Sequence, residues 1–293
     1  MVTSPARQER IRQVGIRAYR LGARGMFLYP PPRVLLTSLP KAGSHLLILL
    51  LRRFPQMMFS GVHLTLNDFT TPGIGSEIVG DGLQTDWQAV HRVLRTIRNG
   101  QFLTAHFPAR GPLFPLLDRL GFRTILMLRD PRDVVVSHAY YVTRSERHHL
   151  HNRYNALPTI EDRLMASIAG FPSDQHGRGL ISIGKRLGGY MPWLQAPETY
   201  VCRFEDLVGP NGGGSDEAQR NEIFSIGRHV NRPLDEPTAQ RLAGRIWSPR
   251  SSTFRGGRAG DWTNHFTEAH KAAFKELAGQ YLIELGYESG LDW

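Results

Sequence analysis

Short apolar runs alternate with amphipathic stretches along this chain. Arg33-Val-Leu-Leu-Thr-Ser-Leu39 is a short apolar run of the kind that makes a buried strand. Pro40-Lys-Ala-Gly-Ser-His45 and a leucine-rich helical stretch follow it directly, giving strand, loop and helix. Gln101–Ala105 and Arg123–Leu128 are two further strand candidates, the second entering Arg129-Asp-Pro-Arg-Asp133 and another helix. Thr199–Arg203 makes a fourth and leads through Phe204-Glu-Asp-Leu207 into a glycine-rich turn from Gly209 to Ser215. Thr267 and Glu268 open a C-terminal helix whose apolar positions Phe274, Leu277, Tyr281 and Leu282 can reach the core. Strands alternating with helices predict an α/β fold, a central parallel β-sheet flanked by helices on both faces. Ligands of such sheets bind beyond the C-terminal strand ends, and the loops named above leave those ends.

The apolar pattern weakens between residues 143 and 180, which include the run Arg144-Ser-Glu-Arg-His-His-Leu-His-Asn152. A long polar insertion at that end of a sheet is often a lid or acceptor-binding segment, and residues 143–197 are assigned that role. His148, His149 and His151 suggest metal, but no carboxylate or cysteine spacing supports it, and a solvated loop is the expectation. Residues 7–24 carry six arginines among Ile11, Val14, Ile16, Tyr19 and Leu21. They read as a solvated helix, a membrane-surface or acidic-substrate contact, or a targeting segment. Pro30, Pro31 and Pro32 stop any such helix, so residues 1–32 form a basic extension and residues 33–293 one domain.

A chain of 293 residues is long for one domain but not clearly two. Its formal charge of +10 favours anionic partners without naming one. Cys202 is the only cysteine, which excludes an intrachain disulfide and a multi-cysteine metal site. The longest apolar run, Leu46 to Leu51, is far short of the about 20 residues that span a bilayer. The N-terminus lacks a secretory apolar core, so a cytoplasmic protein is expected.

Three segments carry candidate chemistry. In Pro40–His45, glycine permits a tight turn, helix-start amides make a pocket for phosphate, Lys41 adds charge and Ser44 a hydroxyl. An ordinary βα turn with a capping serine would use the same residues, and the segment alone does not choose. In Leu128–His138, Asp130 and Pro131 form an N-cap and N1 pair. Capping accounts for those two but not for Arg129 at the strand end or Ser137 two turns on. In Thr253–Phe266, glycines interleaved with Arg255 and Arg258 make an anion-seeking loop or an ordinary flexible one.

In this order and spacing the three segments resemble the PAPS-dependent sulfotransferases (PAPS is 3′-phosphoadenosine 5′-phosphosulfate), particularly the cytosolic-type family and its bacterial relatives. The resemblance runs from about residue 33 to the C-terminus. It implies the P-loop-kinase-like sulfotransferase fold and O-sulfuryl transfer from PAPS, with PAP as product and no metal. Lys41, Ala42, Gly43, Ser44, His45 and Leu46 would form the 5′-phosphosulfate loop, with Lys41 stabilising the leaving phosphate oxygen. Arg129 and Ser137 would grip the 3′-phosphate, joined by Arg255, Gly256 and Gly257 from the closing loop. His106, in Thr104-Ala-His-Phe-Pro108, aligns with the catalytic base. The acceptor would be a small-molecule, lipid or carbohydrate hydroxyl, with Tyr140, Tyr141, Phe171 and Trp193 lining its pocket or simply packing the core.

The match departs at four places. The family commonly has lysine where this chain has Thr104, an adenine-stacking tryptophan at Leu46, lysine at Gly256 and tyrosine at Phe204. Losing two cations motivates a second reading, a degenerate PAP- or glycan-binding relative; retention of Lys41 and His106 opposes it. A nucleotide kinase would show G-x-x-x-x-G-K-[ST], a spacing Pro40–His45 lacks. No recognised nucleic-acid-binding module is present, so nucleic acid is not an expected partner.

Overall fold

Five strands form one wholly parallel sheet in the order β2-β3-β1-β4-β5. They are β1 (Arg33–Ser38), β2 (Met58–Thr65), β3 (Gln101–His106), β4 (Phe122–Leu128) and β5 (Thr199–Arg203). The computed structural model describes residues 31–70, 85–174, 179–246 and 257–293; the arginine-rich segment 7–24 lies outside them. Four strands coincide with the apolar runs. β2 has no such signature, because Ser60, Gly61 and His63 break up its apolar positions.

The helices, in chain order, are α1 (Ser44–Leu51), α2 (Trp87–Thr96), α3 (Leu113–Arg119), α4 (Pro131–Arg144), α5 (His151–Asn155) and α6 (Ile160–Ala169). They continue with α7 (Ile183–Gly188), α8 (Phe204–Leu207), α9 (Asp216–His229), α10 (Glu236–Ile246) and α11 (Glu268–Glu284). Central β1 is buried on both faces, which is why it reads as a continuous apolar run. Alternate side chains go to opposite faces. Val34 and Leu36 meet α1, α9 and α10 through Leu47, Ile223 and Ile246. Leu35 joins Leu103, Leu94, Val135, Ile183 and Phe274 in the core of the other face.

The segment between α4 and β5 folds inward rather than standing off as a polar loop. Leu164 and Ile168 of α6 and Leu187 of α7 are buried with Phe274 of α11. Trp193 is wholly buried and donates its Nε1–H to the Phe107 carbonyl at 3.1 Å. The weak pattern there reflects short helices, each burying only one or two large apolar side chains. Among the described residues no helix is long and apolar enough to cross a membrane.

This order puts the C-terminal ends of β3, β1 and β4 side by side. After β1 the chain crosses to one side for β2 and β3, then to the other for β4 and β5. Such a reversal leaves a crevice outside the carboxyl ends of the strands.

Candidate functional site

The loop leaving β1 is backbone-strained. Lys41 has φ 75° and Gly43 φ 96°, both left-handed, and Gly43 is the N-cap of α1. A β-carbon at Gly43 would lie 2.4 Å from the Phe204 ring, so glycine is required by packing as well as by φ. The Ala42 and Leu46 amides donate to the Leu39 and Gly43 carbonyls, and both side chains turn into the core. The first amides of α1, at Ser44 and His45, have no intrahelical acceptor by construction, and they open on the loop. His45 is exposed at its mouth.

Lys41 sets its Nζ 3.7 Å from the centre of the Tyr141 ring on α4. Burial, and then the charge of Arg129, bring its pKa down to about 8. Tyr141 stands one helical turn beyond Ser137 and two beyond Asp133, so these three share the α4 face that looks onto the loop. His148 comes back from the segment after α4 to meet the same ring edge-on at 5.7 Å and stacks on His149 at 4.5 Å. The histidine-rich segment is therefore half-buried against α4 rather than a solvated loop. His151 contacts the Val142 carbonyl through Nδ1 at 3.1 Å. Among the described residues no cluster of His, Cys, Asp and Glu is arranged to hold a metal ion.

His106 ends β3. Its Nδ1 lies 2.9 Å from the Ser38 backbone carbonyl, which can only accept, so Nδ1 carries the proton and Nε2 holds the free lone pair. Burial pushes its pKa down to about 4, against the opposing Ser38 hydrogen bond; the nearby charges of His63, His45 and Lys41 lower it further. The ring is thus a neutral imidazole at physiological pH, in the tautomer that presents a base.

Arg129 ends β4 and is buried. Its Nη2 donates to the Arg258 carbonyl at 2.8 Å and lies 3.4 Å from Asp133 Oδ2, while its guanidinium stacks 4.3 Å from the Phe204 ring. Its Nε, equally buried, has no acceptor among the described residues. Asp133 in turn accepts from the Gly260 and Trp262 amides, at 2.9 Å each, tying residues 257–264 to α4. Burial raises the Asp133 pKa while Arg129 holds it down. Gly257, at φ 57°, begins this described stretch; Arg255 and Gly256 lie outside the described residues.

Beneath the site, the N-terminus of α4 is clasped from several sides. Asp130 caps it by accepting from the Arg132 amide at 2.8 Å, and the Asp130 amide donates to Glu205 Oε1 at 2.8 Å. Arg132 is buried between the Trp262 and Trp293 rings, 3.9 and 4.5 Å from their centres, and ion-paired to Asp130 and Glu288. Tyr287 donates to Glu205 Oε2 at 3.1 Å. From the sequence alone Asp133, Glu205 and His63 carry no role, while Tyr141, there a candidate acceptor-pocket residue, stands against Lys41. The contacts of all four are made only in the folded chain.

Lys41, His106 and Arg129, from three adjacent strand ends, thus converge, and Ser137 lies half-buried on the helix face beside them. The arrangement offers a cation, a neutral base and a second, buried cation facing one crevice, which suits transfer of an anionic group to a hydroxyl. No family model matches the sequence, and no curated protein is similar to it in sequence. Solved structures are similar in fold. The mouse sulfotransferase SULT7A1, crystallised with PAP, is 15% identical, with TM-score 0.58 over 87% of each chain. A retinol dehydratase, crystallised with androsterone and inactive cofactor PAP, is 14% identical, with TM-score 0.52 over 91% of this chain and 85% of that one. One parallel five-stranded sheet flanked by helices, in the arrangement these structures share, is what this chain builds: it has the sulfotransferase fold.

Proposed function

We propose that this protein is a PAPS-dependent O-sulfotransferase that uses His106 as general base. The observation that carries the reading is the convergence of Lys41, His106 and Arg129 at the C-terminal ends of β1, β3 and β4, with the base tautomer fixed by the Ser38 carbonyl. Bound PAPS supplies the sulfuryl group. The acceptor hydroxyl gives its proton to His106 Nε2 as its oxygen bonds to sulfur, and the bond from sulfur to the 5′-phosphate oxygen breaks. Negative charge then grows on the departing phosphate, where Lys41 and the first amides of α1 stabilise it.

The 3′-phosphate falls to Arg129, whose buried Nε has no acceptor among the described residues, and to Ser137, with Arg255, Gly256 and Gly257 as further contacts. No metal is assigned a part. Residues 143–197 are assigned to the acceptor side, where the Tyr141 ring lies against Lys41 and His148 against Tyr141. A small-molecule, lipid or carbohydrate hydroxyl is the acceptor class, and the basic residues 1–32 are a candidate membrane-surface contact.

The test is a thermal-shift comparison of PAP with 5′-AMP, ADP and ATP at matched concentrations. Ligand linkage gives about 2.7 kcal/mol of stabilisation at a hundredfold excess over Kd. A shift with PAP and not with the others supports the reading. A shift with ATP and not PAP overturns it, and no shift with any of them favours a relative that has lost the nucleotide.

A further inference from the structure

β2 and β3 do not pair in simple register. Phe59 lies opposite Phe102, yet His63 lies opposite Thr104, so four residues of β2 match two of β3. Gly61, at φ 82°, stands in the irregular stretch, a conformation that suits glycine. Bulges of this kind re-aim side chains beside active sites. Continued pairing from Phe59 would have put Gly61, with no side chain, opposite Thr104. The shift puts an imidazole there instead.

That imidazole is held. His63 Nδ1 is 2.9 Å from Thr104 Oγ1, and the Thr104 hydroxyl lies 3.4 Å from the Val62 carbonyl, which can only accept. Thr104 therefore donates to Val62 and accepts from His63 Nδ1–H, leaving Nε2 as the nitrogen free to meet a ligand. The ring stands edge-on to His106, centroids 4.9 Å apart at 81°. Facing it are His106 from β3, His45 from α1 and, from the turn after β2, Asp68, which accepts from the Thr65 amide and hydroxyl. Lys41 acts on both His45 and His106, so His63 borders the same ring of basic groups.

We infer that His63 is a further anion-binding residue of the transfer site: protonated on binding, it donates through Nε2 to a sulfuryl oxygen of PAPS while Thr104 holds Nδ1. The inference rests on the sulfotransferase reading and adds a residue to it. In the free protein burial lowers the His63 pKa, so the ring is neutral near pH 7 and takes up its proton with the anion. A further cation, beyond Lys41 and Arg129, is therefore drawn in by the substrate rather than fixed in advance.

Calorimetric titration of PAPS and of PAP into the whole chain tests this, with wild type, His63→Ala, His63→Asn and His63→Ala/Thr104→Lys. Asparagine keeps a hydrogen bond to Thr104 without a charge, and the lysine restores a charge from the neighbouring strand position. Both single variants are expected to weaken PAPS roughly tenfold or more relative to PAP. Both should also take up fewer protons on PAPS binding at pH 7, read from buffers of different ionisation enthalpy, and the double variant should recover PAPS affinity. Recovery in His63→Asn, or equal losses for PAPS and PAP, would show that His63 only packs the strand and overturns the inference. Wild type binding neither nucleotide removes the sulfotransferase reading itself, and the inference with it.

Discussion

Two side chains at the centre of the site are held away from their ordinary protonation, and the consequences are measurable. Burial pushes the His106 pKa down to about 4, so in the unliganded protein its ring is already neutral. Lys41 titrates at about 8 because it too is buried and faces Arg129, so it loses its charge as pH rises through that value. The pH dependence of kcat/KM reports groups of the free enzyme. In His63→Ala, which removes the proton taken up with PAPS, it should be flat from about pH 5 to 7, fall above about pH 8, and lose its acid side only near pH 4. Lys41→Arg, which cannot deprotonate in this range, should remove the alkaline fall even if it lowers the plateau. An alkaline fall that persists in that variant would assign it to another group. His106→Ala should remove turnover by at least about a hundredfold and leave PAP affinity within a few-fold. Gly43 fails differently: Gly43→Ala meets both the φ of 96° and the Phe204 ring. It should cost about 1–2 kcal/mol from φ alone, with the clash added. Phe204→Leu in the same chain should recover only the clash, as unfolding by urea would show.

At the scale of elements, α4 is the part on which the site depends. Its first turn carries Asp130, Arg132 and Asp133, all buried, and each is tied to a different partner segment. Arg132→Ala leaves Asp130 and Glu288 without their cation and opens a gap between two indole rings. Breaking a buried pair of this kind costs about 3–5 kcal/mol, a large share of the roughly 5–15 kcal/mol that holds a domain folded. Equilibrium urea unfolding should show that loss, with Arg132→Lys intermediate because it keeps charge but not the planar stack. A loss under about 1 kcal/mol would mean the clasp contributes little. The start of α4 was legible in the sequence, since Asp130 and Pro131 are local capping signals and Arg129 stood unexplained by them. β1, β3 and β4 were legible because burial on both faces writes an apolar run, while β5, an edge strand with only Cys202 buried, shows as the β-prone run Thr199-Tyr-Val-Cys-Arg203. β2 was not, because a strand at the sheet edge with Ser60, Gly61 and His63 carries no such run. His63 was hidden for the same reason: its place opposite Thr104 depends on a register shift between two strands, which no single segment encodes. The Gly260 and Trp262 amides that meet Asp133 and the Glu288 that pairs with Arg132 lie more than a hundred residues away in the chain and were equally out of local reach.

For the whole molecule, the excess of ten positive charges and the few buried groups at the strand ends act on an anionic ligand in separable ways. The net charge raises a field that reaches well beyond contact and draws in any anion, and salt screens it over about 8 Å at 0.15 M. Arg129 is buried, so an anion that reached it would be met at contact, where screening is weak. Its guanidinium is also held fast by the Arg258 carbonyl, Asp133 and the Phe204 ring, so it loses little freedom when a phosphate arrives. Raising salt from about 0.05 to 0.5 M should therefore weaken PAP and 5′-AMP together while leaving the ratio of their affinities nearly unchanged. Arg129→Gln, which keeps a donor but removes the charge, should do the opposite, collapsing the preference for PAP while 5′-AMP binding changes little. Isothermal titrations at the two salt concentrations, with wild type and variant, give all four comparisons. A PAP preference that disappears at high salt in the wild type would place 3′-phosphate recognition in the diffuse basic surface and take it away from the end of β4.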